Sequence, residues 1–355
     1  MIVVEEYGKL PTGQVASLYT IVNKHGNKLS LTNWGSRIVL LSIKDKIGDY
    51  RDVVLGYDNL DGYLQDKHYM GALLGINVGK SVVKRTLHDG IQVFVSDDID
   101  TFKHADTVSL DNVLWDCVVS GQENQESITM QHKMNLPLGT LLISISYSWS
   151  EDNQLTIVDR ASSTYNCEVN FVQQAFFNLN GQGTIEGHTA LVNADYVSST
   201  DGGWTPTEFV PTQGRIDLKK PKSLKNLSSA KHKLIKYSDG LDLCYQLNVG
   251  NNVLADSLHY VGRVRAKQSA IKLEIHTTKS HLYFYTANRF DRVPGKRQPI
   301  VSYTQPDNNF DNVNSKKDGV YNKHSGFCIS PITVDNVVLA NKPYVNKTVY
   351  KLIVR

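Results

Sequence analysis

Little in this sequence suits an oxidised, metal-bound or membrane-embedded protein. Four cysteines occur in 355 residues, at 117, 167, 244 and 328, and none stands in a CxxC pair. That gives neither a disulfide framework nor a cysteine zinc site. No apolar run approaches the ~20 residues of a membrane helix. The opening MIVVEEYGKL has neither the basic nor the apolar region of a signal peptide. Charge of one sign is not in excess: 38 Lys+Arg face 35 Asp+Glu, a formal net charge of +3. A nucleic-acid groove would show as a basic surplus. The 11 histidines form no HxH or HExxH pair, and GxGxxG, P-loop and GxSxG motifs are missing. These absences lead us to expect a soluble, cytoplasmic protein with no metal, no cofactor, and neither nucleic acid nor membrane as partner.

Helical stripes are also scarce. One helical turn is expected at 58–64, and 228–235 is ambiguous between helix and loop. Short alternating segments dominate instead, at 20–23, 28–32, 38–43, 92–96, 141–149, 154–161, 271–277, 281–286 and 348–354. In LLISISYSW (141–149), apolar residues alternate with Ser and Tyr, the period of a half-buried strand. Turn residues punctuate these runs, as in HGN at 25–27 and HDG at 88–90. The pattern predicts an all-β protein, a large antiparallel β-sandwich or barrel. No composition shift marks a boundary, so 1–355 reads as a single domain. The basic run 218–236 and the polar stretch 305–325 read as surface loops.

Seven segments in collinear order resemble the aldose 1-epimerase (galactose mutarotase) family. LTNWGSRIVLLSI (31–43) is like its "TNYGA" opening, and DVVLGYDNLDGYL (52–64) is very close to "DVVLGFDSLDGYL". YMGALLG (69–75) is similar to "YFGATIG", and FVQQAFFNLNG (171–181) to "LTNHTYFNLAG". The stretch 187–211, LYFYTANRF (282–290, like "LQVYTGNFL") and GFCIS (326–330, like "GFCLE") complete the series. The resemblance implies a supersandwich of antiparallel sheets with a sugar cleft on one sheet face. It also implies interconversion of sugar anomers, with a free hexose or related small-molecule carbohydrate as ligand.

Mutarotation needs a base at the C1 hydroxyl and an acid at the ring oxygen, both titrating near the working pH. In the family these are a Glu and a His; a second His, an Arg and an Asp hold the sugar. Carried over residue by residue, the acid falls on Gln174 and the base on Ser330. A Gln amide donates hydrogen bonds but has no titratable proton near pH 7. A Ser hydroxyl is no base without an activating partner. The Arg position holds Ile76, and the next family Arg falls on Lys80. The second His falls on His104, with Ala105-Asp106 where the family has Gly-Gly, and the Asp falls on Asp242. Two sugar-holding positions thus match while acid, base and Arg differ. His104 is the candidate substitute acid or base; a surface loop His is the plainer reading. Asp242, His104 and Gln174 are the expected sugar-binding groups, with Phe176, Tyr285 or Trp34 stacking on the ring. Arg289, Arg292, Lys296 and Arg297 crowd NRFDRVPGKRQ, either as a solvated loop or facing an acidic sugar or phosphate. The rival expectation is a carbohydrate-binding or sensing protein without turnover.

Overall fold

The computed structural model describes residues 1–75, 84–86, 92–94, 110–122, 125–136, 139–199, 206, 208–227, 232–248, 257–296, 319–333 and 337–355. His104, Ile76, Lys80 and Arg297 lie outside them, as does most of 305–325.

Three antiparallel sheets carry the architecture, with orders of five, nine and six strands. An N-terminal meander runs through Ile2–Lys9, Val15–Val22, Lys28–Thr32, Arg37–Lys44 and Tyr50–Asp52. The nine-stranded sheet contains the run read from LLISISYSW, here Gly139–Trp149, between Gln125–Leu136 and Gln154–Ser163. Its inward positions Leu141, Ile143, Ile145 and Tyr147 are at most 2% exposed, while Leu142 is 48% exposed, so the period of two decided which face was buried. The six-stranded sheet runs in space as Phe176–Phe177, Phe327–Ile332, His281–Tyr285, Asp242–Leu247, Ala194–Ser199 and Val210–Pro211.

The six-stranded sheet packs one face against the nine-stranded sheet. Phe177, Phe284, Phe327, Leu243 and Ile329 join Tyr350, Leu273 and Ile275 in the main core. Phe177 and Tyr350 rings lie 5.5 Å apart, and Tyr350 Oη donates to the Ile329 carbonyl at 3.0 Å. The opposite face of the same sheet presents Phe176, Cys328, Tyr283, Tyr285 and Cys244 to a second cluster with Met70, Leu55 and Phe290. That second face carries the site. The expected helical turn is Leu60–Leu64, capped by Asn59 Oδ1, which accepts from Gly62 N at 3.2 Å. Of the ambiguous segment 228–235, residues 228–231 lie outside the described residues and the end enters a short helix, Lys233–Ser238.

His188 shows how burial sets a protonation state. Its Nε2 accepts from Leu179 N at 3.0 Å, which requires the proton on Nδ1, facing the Ile185 carbonyl at 3.1 Å. Burial lowers its pKa to about 4. The unfolded chain binds this proton below pH ~6.5, so stability is full above that value and falls as pH drops toward the folded pKa, by roughly 3 kcal/mol in all. Denaturant titrations between pH 7 and pH 4 are expected to show that loss. His188→Gln should flatten the slope, and an unchanged slope would reject the assignment.

Candidate functional site

Strand alternation assembles the predicted positions. Across the six-stranded sheet, Phe176 pairs with Cys328, Cys328 with Tyr285, Tyr285 with Asp242, and Ser330 with Tyr283. Directly opposed residues share a face, so Phe176, Cys328, Ser330, Tyr283, Tyr285 and Asp242 point the same way. Gln174 joins them from the segment before Phe176–Phe177, where its backbone bonds to Gly71 N and Ala72 O at 2.9 and 2.8 Å. Gln174, Ser330, Asp242 and Phe176, which lie far apart in sequence, are therefore neighbours around one sheet face.

At the centre lies Cys328. Its Sγ donates to Gln174 Oε1 at 3.2 Å and stands 3.1 Å from Ser330 Oγ. Ser330 Oγ itself donates to the Gln173 carbonyl at 2.6 Å. Its proton is committed, and its exposure is 1%. Burial pushes the Cys328 thiol up to about 12, so it is neutral and not nucleophilic at pH 7. Gln174, 2% exposed, is an amide. Neither Gln174 nor Ser330, at the family's acid and base positions, holds a group that exchanges a proton near neutrality.

Asp242 stands beside this patch at the start of its strand. Tyr283 Oη donates to Asp242 Oδ1 at 2.7 Å, and Arg289 Nη2 lies 3.9 Å from Oδ2. The Tyr283 phenol is held well above its ordinary pKa, first by burial and then by the Asp242 charge, so it stays a donor. Burial likewise raises Tyr285 to about 12. The strand entry is clamped: Leu241 N donates to Thr286 Oγ1 at 2.9 Å, and Asn288 Nδ2 donates to the Leu241 carbonyl at 2.8 Å. Gly240 is required here, because a Cβ would come within 2.0 Å of Asn288 Oδ1. Asp242 thus sits on a fixed backbone with 14% of its side chain open to solvent.

The aromatic residues form a wall. Tyr283 and Tyr285 stack with centroids 6.3 Å apart, Phe176 meets Tyr285 at 6.0 Å, and Phe290 meets Phe176 at 5.0 Å. Phe176 is 1% exposed, so it braces the wall rather than offering an open ring. Trp34 packs against the same cluster. His68, which the sequence reading missed, closes the row at 4.6 Å from Phe290. Its turn is held by Asp66, which accepts from His68 N at 2.9 Å and from Arg37 Nη1 at 2.8 Å. Burial lowers the His68 pKa, leaving a neutral imidazole on the rim. His281, on the same strand face as Tyr283, is also held neutral by burial, with a pKa of about 4.

The basic cluster divides. Arg289 has 75% of its side chain exposed beside Asp242. Lys296 instead is buried: its Nζ donates to Asp52 Oδ2 at 2.6 Å, to the Val54 carbonyl at 3.2 Å and to the Val39 carbonyl. All three of its protons are used, so it belongs neither to a solvated loop nor to a phosphate site. Among the described residues, no group of three or more His, Cys, Asp or Glu could hold a metal ion. No helix of the described residues is long and apolar enough to cross a membrane.

A β-sandwich with two polar sheet-face clusters and an aromatic wall defines a class, and comparison with known proteins supplies the family. The family model for aldose 1-epimerase matches residues 17–335. The chain belongs to the aldose 1-epimerase family. It is 29% identical to the galactose mutarotase of Homo sapiens over 330 residues, 91% of this chain and 87% of that one. It is 24% identical to the aldose 1-epimerase of Escherichia coli (strain K12) over 295 residues, covering 81% and 83%. In structure it resembles a galactose 1-epimerase from Lactobacillus acidophilus NCFM, with TM-score 0.75, 17% identity and coverage of 99% and 98%. An aldose epimerase homologue from C. elegans gives TM-score 0.74 at 22% identity, covering 95% and 98%.

Proposed function

We propose that this protein binds a free hexose or related carbohydrate on the Asp242 face and does not interconvert its anomers by a paired acid and base. Family membership supports the ligand class. The observation that carries the rest is the Ser330 hydroxyl, buried and donating to the Gln173 carbonyl at 2.6 Å. A hydroxyl whose proton rests on a backbone carbonyl, with only a neutral thiol and an amide beside it, has no base to activate it and so does not take the C1 proton. Asp242 remains as the carboxylate acceptor for sugar hydroxyls, with the Tyr283 hydroxyl fixing its orientation.

Calorimetry against a panel of hexoses and maltose-type disaccharides tests the binding half. Weak sugar sites lie near a mM Kd, about −4 kcal/mol. Asp242→Asn removes charge-assisted hydrogen bonds, each about 1.5–3 kcal/mol, and is expected to weaken binding about tenfold or more. Equal affinity of wild type and Asp242→Asn would reject Asp242 as a contact. The enzymatic alternative rests on His104, the one matching family position whose residue type can exchange a proton near neutrality. Any catalysed rate should then vanish in His104→Ala.

A further inference from the structure

We propose that the outward face of the nine-stranded sheet is a binding surface for an acidic polysaccharide. Registers place Lys133, Arg160, Lys347 and Lys351 outward on the central strands, opposite Leu142, Ser144, Val158 and Gln154 respectively. Arg263, Arg265 and Lys272 extend the face across the next two strands. Among the described residues of these strands, the outward carboxylates are Asp116 and Glu274. Glu274 is engaged by Lys272 at 2.6 Å. Seven cations thus share a face with two carboxylates, in a chain whose totals of 38 and 35 nearly cancel. The overall balance conceals a segregated surface.

Geometry favours a flexible linear polyanion over other anionic partners. Neighbouring strands lie ~4.8 Å apart and same-face residues ~6.7 Å apart along a strand, so the cations form a broad, flat grid. Single-stranded nucleic acids need rows of aromatic platforms, but the aromatic pair on this face is Tyr260 with His276, at one side, their centroids 5.4 Å apart. Membrane surfaces are gripped by an apolar face that inserts. Here the exposed apolar side chains Val118, Leu142 and Val345, 52%, 48% and 50% exposed, stand on three strands of which no two are neighbours, and so form no continuous patch. Charge without stacking or insertion fits carboxylate or sulfate groups carried on a hydrophilic chain. The surface is separate from the Asp242 face, so it stands or falls independently of the sugar site.

The test is fluorescence anisotropy of the full chain with labelled polygalacturonate, against neutral dextran of matched length, at about 50 mM and about 300 mM salt. Wild type should bind the polyuronate and not dextran, and weaken steeply with salt. Arg160→Gln/Arg263→Gln/Lys347→Gln/Lys351→Gln should lose about tenfold or more at low salt, with the log–log salt slope reduced by roughly 3. Lys9→Gln/Lys24→Gln/Lys46→Gln/Lys67→Gln removes equal charge elsewhere and should change affinity less than about threefold. Melting curves establish that both variants fold. Equal losses in both would overturn the proposal, since net charge and not the face would then decide. So would failure of wild type to bind at low salt, or tighter binding to poly(U) or phosphatidylserine vesicles.

Discussion

Gln174→His/Ser330→Glu/Tyr283→Gln is expected to equilibrate freshly dissolved α-galactose or α-glucose at roughly 10²–10⁴ times the buffer rate, the range a positioned acid–base pair supplies, where the wild type does not exceed that rate. Gln174 Oε1 and Ser330 Oγ both touch the Cys328 sulfur, at 3.2 and 3.1 Å, so a His and a Glu on these backbones would flank one small region. Room is the obstacle. Ser330 is 1% exposed and lies directly across from Tyr283, whose ring fills the adjoining space. A Glu placed there alone would be overpacked and charged in a buried site. Tyr283 stands where the similar family segment LQVYTGNFL has Gln, and the third substitution trims it. The double variant without Tyr283→Gln should therefore remain near the buffer rate. A folded triple variant that binds sugar yet gives only the buffer rate would show that more than side chains separates this site from a catalytic one.

Lys296→Met is expected to destabilise the protein by about 3–5 kcal/mol, the usual cost of breaking a buried ion pair from one side. The Asp52 carboxylate accepts from Leu41 N and Val54 N, both at 3.2 Å, and from Lys296 Nζ at 2.6 Å. Removing the ammonium leaves a buried charge and bares the Val39 and Val54 carbonyls. Adding Asp52→Asn should recover part of the loss, because the stranded charge is gone. Guanidinium titrations measure both. A change under about 1 kcal/mol in the single variant would contradict the ion pair's structural role.

How far the sequence reveals this protein depends on how many faces each segment buries. Strands with one wet face alternate, so Gly139–Trp149 and Ile271–Thr277 were legible, the latter to the residue. Phe327–Ile332 is buried at all six positions, one face on the core and the other on the second cluster, and shows no alternation. It became visible through the GFCIS resemblance. Gln125–Leu136 was missed although it alternates, with Ile128, Met130 and Met134 inward and Thr129, Gln131 and Lys133 outward, while in His259–Ala266 a register shift between Tyr260 and Gly262 interrupts the period. Lys296 read as part of a solvated basic run, since nothing local signals that Asp52, distant in sequence, waits for it. Gln174, Ser330 and Asp242 were placed by resemblance; the cross-strand registers then put them around one sheet face. His68 carried no motif, and only the ring contact with Phe290 brings it to the rim.

The most direct measurement is polarimetry of the wild-type protein with freshly dissolved α-galactose and α-glucose from pH 5 to 8. Ser330 and Gln174 predict a rate equal to the buffer blank throughout, with sugar binding seen by calorimetry in the same preparation. A protein-dependent rate that scales with concentration would contradict that account and place a proton-transferring group in this site.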